Sequence, residues 1–141
     1  LNFYIHAKFR ERLGNFYTED RHIRLIPFGT VPLNQLLMSC HMLITDYSSV
    51  MFDYSILNRP MLFFAYDLED YKENLRGFYF DFVNDIPGPI SRDTDQLIKD
   101  IKEYNEDSWK EKYKNYHDKF NGIDDGNASQ KVIEVIKKVR R

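Results

Sequence analysis

Short apolar runs, each bounded by polar or turn-forming residues, recur through the first half of the chain. Four of them predict buried strands of a parallel sheet, because strands covered on both faces show continuous rather than alternating hydrophobicity. These runs are Leu1–His6, Ile23–Ile26, Met42–Thr45 and Met61–Ala65. Between them, Leu33–Ser39 and Ser49–Asn58 are predicted to be short helices. Pro60 ends the second helix, since proline disfavours a helical residue before it.

From Asp93 onward the pattern is helical. Apolar residues recur every three or four positions and give each of three predicted helices one apolar face. The faces are Leu97, Ile98, Ile101 and Tyr104; Trp109, Tyr113, Tyr116 and Phe120; and Ala128, Val132, Ile136 and Val139. Asp93 or Thr94 is the predicted cap of the first of these helices. The chain is therefore predicted to be an α/β protein, with a Rossmann-like parallel sheet of at least four strands, helices on both faces and a helical carboxyl-terminal segment.

Length and composition narrow the class of protein. With 141 residues, 43% of them hydrophobic, the chain is expected to form one domain over residues 1–141. A net charge of −2 gives no global positive field, so no nucleic-acid partner is expected and any anion site must be local. The single cysteine excludes an internal disulfide framework, and no cluster of cysteine and histidine supports a metal site. The chain opens inside an apolar run without a methionine, so we expect it to be a fragment of a longer protein.

The segment Asp46–Ser49, here called the serine corner, follows the predicted strand Met42–Thr45. Ligands of parallel sheets bind beyond the carboxyl ends of the strands. The first amides of the helix that follows lack internal partners and carry the positive end of the helix dipole. A phosphate could therefore bind these amides and the hydroxyls of Ser48 and Ser49. The alternative is local: either serine is only a helix cap, and Asp46 is only a turn residue.

Asp53 lies four residues after Ser49, one helical turn farther on the same side. Its carboxylate could accept a hydrogen bond from a ribose or polyol hydroxyl while the serines hold phosphate. The alternative is a surface ion pair with Arg59.

Arg76 and Gly77 form a further candidate pair. Arginine presents a planar fork suited to phosphate, and glycine allows close backbone approach to a ligand. Alternatively, Arg76 pairs with Glu73 or Asp81, and Gly77 only ends a predicted helix, Leu68–Leu75.

The turn Pro87-Gly88-Pro89 is rigid because prolines flank a glycine. We expect it to shape the rim of the site rather than to supply chemistry.

Several blocks of the sequence together carry a family resemblance. In order they are LITDYSSVMFDYSILNRPMLFF, YDLEDY, RGFYFDF, PGPI and DDGNAS. From about residue 1 to residue 140, the chain resembles the carboxyl-terminal half of the CDP-glycerol glycerophosphotransferases. The resemblance implies the nucleotide-binding domain of a two-domain GT-B transferase. Such enzymes transfer glycerol phosphate from CDP-glycerol to a hydroxyl of a lipid-linked poly(glycerol phosphate) or related acceptor, release CMP and need no metal or other cofactor.

The resemblance also implies roles for single residues. Ser48, Ser49 and Asp53 match family residues that contact the donor. His6, at the end of the first predicted strand, matches a functional histidine that could ease the departure of CMP. A second family histidine, the acceptor-activating base, belongs to an amino-terminal half that this chain does not contain. The isolated chain is therefore expected to lack transferase activity.

Three alternatives stay open. The donor could be CDP-ribitol, since only polyol contacts would differ. The chain could belong to a GT-B enzyme that uses a UDP-sugar, or it could be a nucleotide-binding domain without turnover. For a full-length transferase with a lipid-linked acceptor, we expect a cytoplasmic location, peripheral at the inner face of the membrane.

Overall fold

A computed structural model describes residues 1–6, 8, 20–75 and 77–139. The chain divides into two compact units, Leu1–Cys40 and His41–Arg141. The assignment of residues 1–141 to one nucleotide-binding domain stays a prediction.

The first unit contains two parallel strands and one helix. Strands β1 (Asn2–Ile5) and β2 (Arg24–Pro27) pair with Phe3 opposite Leu25. Helix α1 (Leu33–Ser39) has the predicted bounds.

The second unit is built on a three-stranded parallel sheet. Strands β3 (Leu43–Thr45), β4 (Met61–Phe64) and β5 (Ile90–Ser91) lie in the order β3-β4-β5. The first three residues of the central strand β4, Met61, Leu62 and Phe63, expose 0% of their surface, and Phe64 is half-buried. The burial of these residues on both faces explains the continuous apolar sequence of the strand.

Six helices accompany this sheet in the described residues. They are α2 (Val50–Ser55), α3 (Leu68–Asp70), α4 (Phe82–Asp85), α5 (Thr94–Lys102), α6 (Glu106–Phe120) and α7 (Ala128–Val139). A π-helical turn, Tyr71–Leu75, continues directly from α3. Asp93 caps α5 as predicted, since its carboxylate accepts a hydrogen bond from the amide of Gln96 at 2.8 Å.

The strand pairing confirms the prediction of a parallel α/β protein but corrects the prediction of a single sheet. All five described strands pair in parallel, yet they form a two-stranded and a three-stranded sheet rather than one sheet of at least four strands. Strand β5, which was not predicted, contains only two residues and pairs with β4 on the side opposite to β3.

The turn Pro87-Gly88-Pro89 does not shape the expected rim. It precedes β5 and packs against the amino end of β4, whereas the serine corner follows the carboxyl end of β3. A Cβ added at Gly88 would lie 1.9 Å from the carbonyl oxygen of Met61. The glycine is therefore required by close backbone packing, and the prediction of a rim was wrong.

Helix α2 is held in place from its buried side. The ring of Phe52 stacks on Tyr116 of α6 with centroids 5.9 Å apart and lies 5.1 Å from Phe120. At the end of α2, the buried hydroxyl of Ser55 and the side chain of Asn121 form a 2.7 Å hydrogen bond, and the Asn121 amide also donates to the carbonyl of Phe52 at 3.1 Å. These contacts leave the opposite face of α2 towards solvent.

Candidate functional site

The carboxyl ends of the three strands of the second unit open onto three loops that lie side by side. We call this surface the carboxyl edge and define it as residues 46–49, 65–70 and 92–93. The register places Thr45 opposite Phe63 and Phe64 opposite Ser91, so each loop starts at a similar height. Such an edge is where ligands of parallel sheets bind.

A hydrogen bond joins the first two of these loops. The hydroxyl of Tyr47 donates to the carboxylate of Asp67 at 2.8 Å, and the Tyr47 ring stacks on Tyr71 with centroids 4.1 Å apart. Burial, and then the hydrogen bond to Asp67, raise the pKa of the Tyr47 hydroxyl well above its usual range. Tyr47 therefore stays neutral and acts as a fixed strut between the serine corner and the loop after β4.

Two side chains of the serine corner bond to its own backbone. The carboxylate of Asp46 accepts a hydrogen bond from the amide of Ser48 at 2.9 Å. The hydroxyl of Ser48 accepts a longer one, 3.4 Å, from the amide of Val50. For Asp46 and Ser48, the local interpretation as turn and cap residues therefore fits the structure. The corner offers fewer free amides to a phosphate than the sequence suggested.

Ser49 differs from its neighbour. It occupies the cap position of α2, but its backbone is already helical, with φ −59° and ψ −11°. A capping side chain folds back over the helix end from an extended backbone, so Ser49 cannot do this. Its hydroxyl forms no capping bond, is exposed, and has no hydrogen-bond partner in the part of the chain that the structure describes. It is free to contact a ligand.

Asp53 lies on the exposed face of α2, one turn beyond Ser49. It forms no ion pair with any described residue, so the alternative pairing with Arg59 is not formed. A free hydroxyl and a free carboxylate thus share one face of a short helix. The hydroxyl can donate to phosphate and the carboxylate can accept from an alcohol.

His6 follows β1 in the first unit. Its Nδ1 accepts a hydrogen bond from the amide of Lys8 at 3.2 Å, and its ring packs against Phe28 with centroids 5.5 Å apart. The bond to Lys8 fixes the ring and leaves the exposed side chain able to donate through Nε2. Its predicted orientation towards the serine corner stays a prediction.

Of the Arg76–Gly77 pair, Arg76 lies outside the described residues. Gly77 has a positive φ of 64°, and its amide donates to the carbonyl of Tyr71 at 3.1 Å, which closes the π-helical turn. This left-handed conformation favours glycine, and it confirms the helix-ending role. Gly77 also lines an open groove of about 430 Å³ together with Leu68, Phe78 and Phe82.

Sequence reasoning missed three side chains of the carboxyl edge. They are Tyr47, Asp67 and Arg92, of which Arg92 follows β5 directly. For Tyr47, an aromatic residue inside a polar corner was a signal that could have been used. For Arg92 there was none, because the strand before it has only two residues and leaves no apolar pattern in the sequence.

Within residues 1–6, 8, 20–75 and 77–139, no three histidine, cysteine or acidic side chains are arranged to hold a metal ion. No helix formed by these residues has both the length and the apolar character needed to cross a bilayer.

Comparisons with known proteins are consistent over most of the chain. The family model described as CDP-Glycerol:Poly(glycerophosphate) glycerophosphotransferase matches residues 3–138. The teichoic acid poly(glycerol phosphate) polymerase of Staphylococcus epidermidis is 44% identical over 108 residues, which are 75% of this chain and 15% of that protein. The teichoic acid poly(ribitol-phosphate) polymerase of Bacillus spizizenii is 43% identical over 114 residues, covering 74% and 16% respectively.

A solved structure extends the match to the fold. The wall teichoic acid polymerase TagF, in a variant soaked with CDPG, is similar with a TM-score of 0.76 and 35% identity over 97% of this chain and 34% of that one. The chain thus spans about a third or less of the length of these relatives. Because the family model matches nearly all of it, the chain belongs to the CDP-glycerol:poly(glycerophosphate) glycerophosphotransferase family.

Proposed function

We propose that this chain supplies the donor-nucleotide site of a transferase that moves glycerol phosphate from CDP-glycerol to a hydroxyl of a poly(glycerol phosphate) or related acceptor and releases CMP. The observation that carries the proposal is the pair of free side chains, Ser49 and Asp53, on the exposed face of α2. They lie within the region that the family model matches. The related polymerases act on polymers of glycerol phosphate or ribitol phosphate by name.

The proposed chemistry is an in-line displacement at phosphorus. The acceptor oxygen forms a bond to the phosphorus that carries glycerol, and the bond from that phosphorus to the oxygen of CMP breaks. Ser49 donates a hydrogen bond to a phosphate oxygen, and Asp53 accepts one from a ribose or polyol hydroxyl. His6 donates a hydrogen bond or a proton to the departing CMP, where negative charge increases. The base that takes the acceptor proton is proposed to lie in an amino-terminal domain of a GT-B fold, and no metal or other cofactor is proposed.

CDP-ribitol is a second candidate donor. The 43% identity to a poly(ribitol-phosphate) polymerase is close to the 44% found for the glycerol phosphate polymerase, so the two matches alone do not favour one polyol. Both donors share the cytidine and diphosphate groups that the serine corner and Asp53 would contact.

A lipid-linked acceptor would place the full-length enzyme at the inner face of the cytoplasmic membrane. This location is proposed from the chemistry of the acceptor alone.

Isothermal titration of the 141-residue chain with CDP, CMP, UDP and ADP tests the donor site. We expect CDP and CMP to bind, and UDP and ADP to bind more weakly. Equal affinities for all four nucleotides would support a general nucleotide-binding module instead. Failure of CDP to bind a folded chain would overturn the proposal.

A further inference from the structure

The carboxyl edge is strongly acidic for a surface that is proposed to hold a diphosphate. Its three loops contain one basic residue, Arg92, and five acidic ones: Asp46, Asp67, Glu69, Asp70 and Asp93. Like charges a few ångströms apart repel, and the repulsion is stronger near a protein surface than in bulk water. Two serine hydroxyls carry no charge to offset it. A cation at the edge itself would offset this repulsion on a bound diphosphate.

Arg92 is placed to be that cation. It directly follows Ser91, which pairs with Phe64, so it emerges beside the loop that follows the central strand. Within the described part of the chain its guanidinium forms one ion pair, with Glu69 at 3.2 Å, and the two side chains are 50% and 66% exposed. Exposed single-contact pairs of this kind contribute little to stability. The contact can therefore be exchanged for a better acceptor without loss of the fold.

The guanidinium of Arg92 also has N–H donors that form no hydrogen bond with a described residue. Arginine carries five N–H groups in a planar fork that matches two oxygens of one phosphate. Among the described residues, only Glu69 accepts a hydrogen bond from Arg92. With the side chain 50% exposed, the other N–H groups are available to a ligand.

The charge of Arg92 also reaches the first loop. It lowers the pKa of the Tyr47 hydroxyl, although burial and the carboxylates of Asp67 and Asp46 outweigh it and raise that pKa overall. Arg92 is thus close enough to Tyr47, a member of the serine corner, to interact with it electrostatically.

We propose that Arg92 binds a phosphate of the nucleoside diphosphate donor and exchanges its contact with Glu69 for phosphate oxygens when the donor binds. This inference rests on the proposed donor site and adds a phosphate-binding residue to it.

Two substitutions that break the same ion pair test the inference. If the pair only supports the loops, both should lower the affinity for CDP; if Arg92 binds phosphate, only the loss of Arg92 should lower it. In Arg92→Gln, the affinity of the 141-residue chain for CDP should fall by about 10- to 100-fold, as expected for a lost hydrogen bond to a charged group. In Glu69→Gln, affinity should stay equal or rise, because a competing carboxylate is removed. Arg92→Lys should retain part of the affinity, since it keeps the charge but not the fork.

Lys131 provides a matched control. It pairs with Asp125 at 3.0 Å and is 55% exposed, so Lys131→Gln removes a similar surface charge far along the chain from the carboxyl edge. Its CDP affinity should equal that of wild type. Cytidine, which has no phosphate, should bind wild type and Arg92→Gln equally.

The outcomes separate this inference from the proposed function. If wild type binds CDP and Arg92→Gln binds it equally well, Arg92 holds no phosphate and the inference is wrong. Equal losses in Arg92→Gln and Glu69→Gln would also overturn it, since they would show that the ion pair only supports the loops. If folded wild type does not bind CDP at all, the donor site itself fails.

Discussion

Replacing Ser49 by alanine removes a hydroxyl that bonds to nothing in the described part of the chain. The fold should therefore be nearly unaffected, with a change in the free energy of unfolding within about 0.5 kcal/mol. If the hydroxyl donates to a phosphate oxygen, its loss should cost about 1.5–3 kcal/mol of binding free energy. This corresponds to an increase of about 10- to 150-fold in Kd for CDP-glycerol.

The assay is isothermal titration of wild type and variant with CDP-glycerol, together with thermal unfolding of both. Ser129 supplies the control, because it is an exposed serine of α7, away from the carboxyl edge in the sequence. Ser48→Ala should have a smaller effect than Ser49→Ala, since the 3.4 Å bond from the amide of Val50 orients the Ser48 hydroxyl towards its own helix. If Ser49→Ala keeps wild-type affinity and wild-type stability, the serine corner does not hold phosphate and the reasoning from its geometry is refuted.

Three further predictions follow from the same structure. Asp53→Asn should weaken CDP-glycerol binding by less than Ser49→Ala, because the lost bond would join a carboxylate to a neutral hydroxyl; titration measures the difference. Gly88→Ala should lower the free energy of unfolding by about 3 kcal/mol, since its Cβ would lie 1.9 Å from the carbonyl oxygen of Met61; urea unfolding measures it. His6→Ala in the full-length enzyme should reduce kcat more than donor affinity, because its bond strengthens as charge develops on CMP.

Each of these has its own contrary result. A larger loss for Asp53→Asn than for Ser49→Ala would indicate that the carboxylate, not the hydroxyl, dominates binding. For Gly88, the control is Gly126→Ala: Gly126 has open space around it and a positive φ of 78°, so only a backbone cost of about 1 kcal/mol applies; equal losses at both glycines would refute the packing argument. An unchanged kcat in His6→Ala would remove that histidine from the reaction.

Strand positions could be predicted from the sequence because a buried parallel strand leaves an unbroken apolar run. The prediction placed β4 within one residue of its observed bounds, Met61–Phe64. It could not find β5, since Ile90–Ser91 is a strand only by virtue of its bonds to Phe63 and Phe64. Apolar periodicity reports burial rather than which strands pair, so it could not separate two sheets from one.

The candidate site was predictable to a similar depth. Spacing alone placed Ser49 and Asp53 on one face of a helix, as the structure has them. Spacing could not distinguish Ser48 from Ser49, because the difference lies in backbone angles that turn one hydroxyl towards an amide and leave the other free. Arg92 could not be predicted as a site residue either, because only the register of β5 brings it to the edge where the serine corner lies.

The hydrogen bond between Ser55 and Asn121 has a consequence for the order of events during synthesis. It joins the end of α2 to a residue 66 positions later, and both side chains are buried. Until Asn121 has left the ribosome, the hydroxyl of Ser55 lacks this partner, and the carbonyl of Phe52 lacks the hydrogen bond that the Asn121 amide donates. The helix that presents Ser49 and Asp53 therefore gains these contacts late, and a nascent chain that ends before Asn121 lacks both hydrogen bonds.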